Sequence, residues 1–180
     1  MDPIEISPYQ AEWALRFADL GRSLRATLRD VAIRIDHIGS TAVLGLAAKP
    51  IVDIQVSVAD FEPLDAFREP LEGLGYVFRA DNTDRTKRYF REAPGTLRTH
   101  LHVRRSGSRG ERSALLFRAY LRAHPDDATQ YGNLKRKLAD EYRDDRAAYT
   151  HAKGFYISDL MQRADRWSQA VEWVPGPSDA

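Results

Sequence analysis

Asp53 and Gln55 stand two residues apart in Ile51-Val52-Asp53-Ile54-Gln55-Val56-Ser57-Val58, a run that alternates strictly in polarity after Pro50. A strand of period two gathers Ile51, Asp53, Gln55 and Ser57 on one face and Val52, Ile54, Val56 and Val58 on the other. Side chains at i and i+2 lie roughly 6.5 Å apart at the backbone, close enough to converge on one divalent ion. The run 98–105 divides the same way, with His100, His102 and Arg104 on one side and Leu101 and Val103 on the other. As neighbours in one sheet, the two runs would form a polar cluster of Asp53, Gln55, His100 and His102, able to hold a metal or move a proton. The bland readings are a half-solvated antiparallel strand and a hydrogen-bonded histidine pair. Strand order is not given by the alternation.

A second feature precedes the first. The run 31–38 reads as a strand and ends in Ile38-Gly39-Ser40-Thr41; a small-residue connector containing Gly45 follows, and Asp53 comes thirteen residues after Ser40. A Gly-Ser turn lets backbone N–H groups approach a phosphate. Carboxylates on the next strand can hold Mg²⁺ against the attacking and leaving oxygens of phosphoryl transfer. The order resembles that of the nucleotidyltransferase superfamily.

The elements that must position these groups follow from periodicity and punctuation. Trp13, Leu15, Phe17, Leu20, Leu24 and Leu28 are spaced for an amphipathic helix over 10–29. A helix is expected over 60–73, with Pro63 in its first turn and Gly75 after its end. Strands are expected at 76–80, 87–92 and 98–105. From about residue 111 the chain reads as helix: 112–123, then 128–143 capped by Asp126 or Asp127, then 145–164. The expected architecture is α+β, a nucleotidyltransferase-like mixed or antiparallel sheet with flanking helices and a C-terminal helical cap. One domain would span 1–174, with Pro175-Gly176-Pro177-Ser178-Asp179-Ala180 a disordered tail.

Composition bounds the chemistry. The 180 residues carry a net charge of +1, 43% hydrophobic residues and no cysteine. This removes disulfides, thiolate zinc sites and cysteine nucleophiles, and a length of 180 suffices for one full core. No apolar run approaches the roughly 20 residues of a membrane span, and the first residues lack a signal peptide's pattern. A cytoplasmic setting without membrane contact is expected. Between Arg85 and Arg118 stand ten basic residues and two acidic ones, a net +8 that leaves −7 for the rest. Such a stretch favours an anionic ligand, or is a solvated arginine-rich surface. Only Tyr89, Phe90 and Phe117 interleave aromatics there, so nucleic acid is the less favoured partner.

Longer blocks are similar to the GrpB family, UPF0157. They are Ile35-Asp36-His37-Ile38-Gly39-Ser40-Thr41-Ala42-Val43, Gly45 to Ile54, and Thr99-His100-Leu101-His102-Val103. Leu116 to Arg122, Leu134 to Ala139 and Tyr149 to Lys153 also fit, as do Pro8-Tyr9, Trp13 and Phe17. The likeness covers roughly residues 5–165. It implies a nucleotidyltransferase fold and, through domains of this kind fused to dephospho-CoA kinase, a link to coenzyme A metabolism. Lys49, Arg118, Lys135 and Lys153 match positions that the family keeps basic. With Gly39, Ser40 and Arg88 they are the expected phosphate ligands. Leu44 replaces the family's proline before Gly45. Gln55 stands where the superfamily has a second carboxylate, so the expected metal set is Asp53, Gln55 and His102, for Mg²⁺ or another divalent ion.

The expected protein binds a nucleotide or related phosphorylated molecule and transfers a nucleotidyl group to a small acceptor, with Asp53, His102 and His100 as catalytic groups. The alternatives are a non-catalytic nucleotide- or CoA-binding module, a nucleic-acid binder and a histidine-metal phosphoesterase.

Overall fold

The computed structural model describes residues 3–180. The alternation in 51–58 becomes β2 (Val52–Val58), and its apolar side, Val52, Ile54 and Val56, is fully buried. Burial of each such side chain contributes about 1.5–3 kcal/mol. β2 pairs antiparallel with β1 (Arg34–Ile38), placing Asp36 opposite Gln55 and Ile38 opposite Asp53. It pairs parallel with β5 (Thr99–Arg105), with Asp53 opposite His100 and Gln55 opposite His102. β4 (Arg88–Arg91) runs antiparallel to β5 with Tyr89 opposite His102, and β3 (Val77–Phe78) completes a five-stranded mixed sheet in the order β1-β2-β5-β4-β3. The two polar faces therefore lie side by side.

One side of the sheet is the main core. α1 (Glu12–Leu28) buries Trp13, Phe17, Leu24 and Leu28 there, and α2 (Asp65–Gly73) buries Phe67 and Leu71. α2 starts later than expected, leaving Pro63 before the helix and Pro70 inside it.

The opposite side carries the helical part. Ser108 caps α3 (Arg109–Ala123): its hydroxyl accepts from Glu111 N at 3.3 Å, and the Glu111 carboxylate accepts from Gly107 N at 2.6 Å. α4 (Pro125–Glu141) begins at the proline, whose missing N–H costs nothing in a first turn, so Asp126 and Asp127 lie inside that turn and do not cap it. α5 (Arg146–Ala170), capped by Asp145, runs past the expected 164. These helices and the 40–46 connector share a second core that includes Val43, Leu46, Leu116, Tyr131 and Leu160.

The expected disordered tail is ordered instead. Ser178 Oγ accepts from Ile35 N at 2.8 Å, Asp179 Oδ2 accepts from His37 N at 2.9 Å, and Ala180 N donates to Ile35 O at 3.1 Å. β1 is an edge strand whose outward backbone groups need partners, and the tail supplies them. Among the described residues, no helix is long and apolar enough to cross a membrane.

Candidate functional site

Asp53 is the centre of the polar face. Its Oδ1 lies 3.1 Å from His102 Nε2 and 3.2 Å from His100 Nδ1. Parallel pairing sets this geometry: His100 stands across from Asp53, and His102 is one side-chain repeat further on. Burial pushes the Asp53 carboxyl up, but hydrogen bonds from both imidazoles outweigh it and hold the group well below the usual carboxylate range. Burial lowers His102, partly offset by Asp53.

His102 has a further partner. Lys87 Nζ lies 3.2 Å from His102 Nδ1. An ammonium can only donate, so Nδ1 accepts and Nε2 carries the proton given to Asp53. Tyr89 packs against both imidazoles, at ring-centroid distances of 5.5 Å from His100 and 5.3 Å from His102. The sequence alone does not mark Lys87 and Tyr89 as site residues. Their signal is the period-two spacing Lys87, Tyr89, Arg91, hidden within a stretch that is basic throughout.

On the other side of Asp53, the chain leaves β1 through Gly39, whose φ is +71°. A Cβ there would stand 2.9 Å from Asp53 Oδ2. Only glycine lets the turn pass this close to the carboxylate without strain. The next residue, Ser40, begins a short 3-10 turn, and its Oγ accepts from Lys135 Nζ at 2.9 Å. Lys135 is buried, with its ammonium 4.4 Å from the centre of the Tyr131 ring one helical turn earlier. α5 repeats the device: Lys153 lies over Tyr149, 5.1 Å from the ring centre, and Lys49 lies over the same ring at 4.1 Å. A lysine four residues after a tyrosine on one helix face is the sequence signal of these pairs.

Lys153 disfavours the charge of both Lys135 and Lys49. Burial, with Lys153 and Arg136 nearby, pushes Lys135 down to about 6. Burial, with Lys153, Arg146 and Arg98 nearby, lowers Lys49 to about 8. Burial also lowers Lys153, which Asp53 partly offsets. Ammonium groups held together in this way form a ready receptor for a multiply charged anion.

Three expected ligands lie elsewhere. Arg118 is buried, donates to His37 O at 2.6 Å and pairs with Asp179, so it ties β1 to the tail. Arg88 stacks on Phe61, 4.2 Å from the ring centre, away from Ser40. Gln55 is fully buried, with Nε2 donating to Glu111 O at 3.4 Å under the start of α3. The metal-capable set among the described residues is therefore Asp53, His100 and His102, whose ligand atoms lie within 4.8 Å of one another. Two imidazole nitrogens and one carboxylate oxygen suit a single zinc- or manganese-type ion better than Mg²⁺, which prefers oxygen ligands.

Residues 3–163 match the family model described as GrpB protein. The chain is similar to UPF0157 protein PA4798 of Pseudomonas aeruginosa, with 39% identity over 91% of this chain and 68% of that protein. It is 34% identical to UPF0157 protein YqkA of Bacillus subtilis, over 92% of this chain and 48% of the relative. A dephospho-CoA kinase of Mycolicibacterium paratuberculosis is 30% identical over 96% of this chain and 49% of that protein. The chain thus spans about half the length of the last two relatives. The crystal structure of conserved protein GrpB from Enterococcus faecalis superimposes with a TM-score of 0.83 at 32% identity, covering 91% of this chain and 99% of that one.

Proposed function

The chain belongs to the GrpB family, and we propose that it binds a nucleotide or a related phosphorylated small molecule in the cleft beside Gly39 and Ser40. The observation that carries the reading is Lys135 on Ser40 Oγ, with Lys153 close enough to disfavour its charge and seated with Lys49 on the Tyr149 ring. The lysines and the turn hold the phosphates, while Asp53 and its two histidines face them across the sheet.

The finer reading is transfer of a nucleotidyl group to a small acceptor. A divalent ion on Asp53, His100 and His102 would supply Lewis-acid charge to the phosphoryl group. The residues' own part is to keep Asp53 ionised, to bind and orient the phosphates, and to stabilise charge on a leaving diphosphate through the lysines. A second reading, a nucleotide- or CoA-binding module without turnover, is favoured by the lone carboxylate: Gln55 adds no charge and is tied to Glu111. The likeness to a dephospho-CoA kinase supports including CoA among the ligands.

A thermal-shift panel of ATP, GTP, CTP, UTP and CoA, each alone and with Mg²⁺, Mn²⁺ or Zn²⁺, tests both. A ligand at 100 times its Kd stabilises by about 2.7 kcal/mol, a shift of several degrees. A metal-dependent shift lost in Asp53→Ala supports transfer; a metal-independent shift that survives it supports the binding module. No shift with any ligand contradicts the reading.

A further inference from the structure

A row of groups crosses the polar face of the sheet, and the lysine cluster occupies only one end. From Ser40, after β1, the row passes to Asp53 on β2, His102 on β5 and Lys87 just before β4. Lys87 also lines a separate pocket of about 600 Å³, where Phe61, Arg85, Arg88, Arg105 and Ser108 form other parts of the wall. Arg88 stands across from Val103 and stacks on Phe61 of the main core, so the arginine wall lies on the other face of the sheet from His102.

The pocket's chemistry is that of an anion receptor with an aromatic floor. Arg88 and Arg105 both stack on Phe61, 4.2 and 5.0 Å from the ring centre. Stacking fixes the plane of a guanidinium and leaves its N–H edge free for a bidentate oxyanion. Arg105 is held by Asp60 at 3.1 Å and Lys87 has Asp84 at 3.8 Å, whereas Arg85 and Arg88 form no ion pair among the described residues. Arg85 makes only a 3.5 Å contact to Ala80 O, and Arg88 a 3.4 Å contact to Arg85 O. Two unpaired guanidiniums on one wall, with a third stacked nearby, exceed what the local carboxylates neutralise.

We propose that this pocket is a second-ligand subsite for a phosphorylated small molecule, bound by Arg85 and Arg88. The inference rests on the Ser40 side being the first phosphate site, and its test separates the two.

The probe is inorganic phosphate, followed by amide NMR shifts in the intact protein. Saturable shifts are expected at Thr86, Arg88 and Ser108 on the pocket side and independently at Ser40 and Thr41. Arg85→Glu, an exposed position that leaves the fold intact, weakens the pocket-side response at least tenfold and leaves the Ser40-side response unchanged; Arg88→Gln acts in the same direction. Lys135→Met does the reverse. Absent pocket-side shifts, or shifts untouched by Arg85→Glu or removed by Lys135→Met, overturn the second subsite. A response confined to the pocket side leaves it standing and overturns the first.

Discussion

Lys135 Nζ donates to Ser40 Oγ across 2.9 Å, joining the fourth helix to the turn after the first strand. A hydroxyl is a weak partner for a buried ammonium whose other neighbours include Lys153 and Arg136. A position that is unfavourable for charge when empty and favourable with an anion present is shaped by binding more than by stability.

Replacing this lysine therefore separates the two. Lys135→Met keeps the stem's volume and removes an amine that must shed its proton to be buried at neutral pH. Urea denaturation at pH 7 is expected to show a variant about 1 kcal/mol more stable than the wild type, with nucleotide and CoA binding lost. A variant of lower stability would show that the lysine is a packing element.

Binding should be linked to protons. Burial holds the folded pKa of Lys135 at about 6 against an ordinary lysine value of 10.5, so between these values the folded, ligand-free chain binds fewer protons than the unfolded one. Its contribution favours folding above the unfolded value and is lost as pH falls toward 6. A bound phosphate restores the charge, so association at pH 8 takes up protons. Calorimetry in HEPES and Tris should give apparent enthalpies that differ with buffer ionisation heat in the direction of uptake; equal enthalpies contradict the linkage.

Gly39→Ala tests the close approach of turn and carboxylate. A φ of +71° together with a Cβ 2.9 Å from Asp53 Oδ2 should cost about 1–3 kcal/mol. It should also displace Asp53 from its histidines. Denaturant midpoints and histidine side-chain NMR signals check both; an unchanged midpoint refutes the constraint.

His37 sets an acid limb. The ring stacks on Phe17 at 4.8 Å, and its Nε2 lies 3.0 Å from Thr41 Oγ1. Burial, partly offset by Asp179, lowers its pKa from 6.5 to about 4. Below 6.5 the unfolded chain takes up a proton that the folded chain refuses, so stability falls by about 3 kcal/mol as pH drops from 6.5 to 4. His37→Gln should flatten this limb in denaturation curves taken across that range; an unaltered slope would place the titration elsewhere.

The sequence made the faces legible and left their neighbours open. Strict alternation assigned Asp53 and the two histidines to polar faces, and packed valines and leucines occupy the other side as expected. Alternation says nothing of strand order, so the parallel pairing that joins Asp53 to His100 and His102 emerged only from the fold. Arg118 and Lys135 are alike as basic helix residues. Packing alone distinguishes an arginine that secures β1 and the tail from a lysine that faces the Gly-Ser turn. Lys87 was masked by the surrounding charge. The tail's proline and glycine suggested fraying, while the open edge of β1 that it covers is visible only in three dimensions.

The most direct measurement of the phosphate-cradle reading is calorimetric titration of the wild type, Ser40→Ala and Lys135→Met with the nucleotide or CoA that gives the largest thermal shift. Saturable one-to-one binding is expected in the wild type, weakened at least tenfold by either substitution. Equal affinity in all three proteins would contradict it and place the ligand away from the Gly-Ser turn.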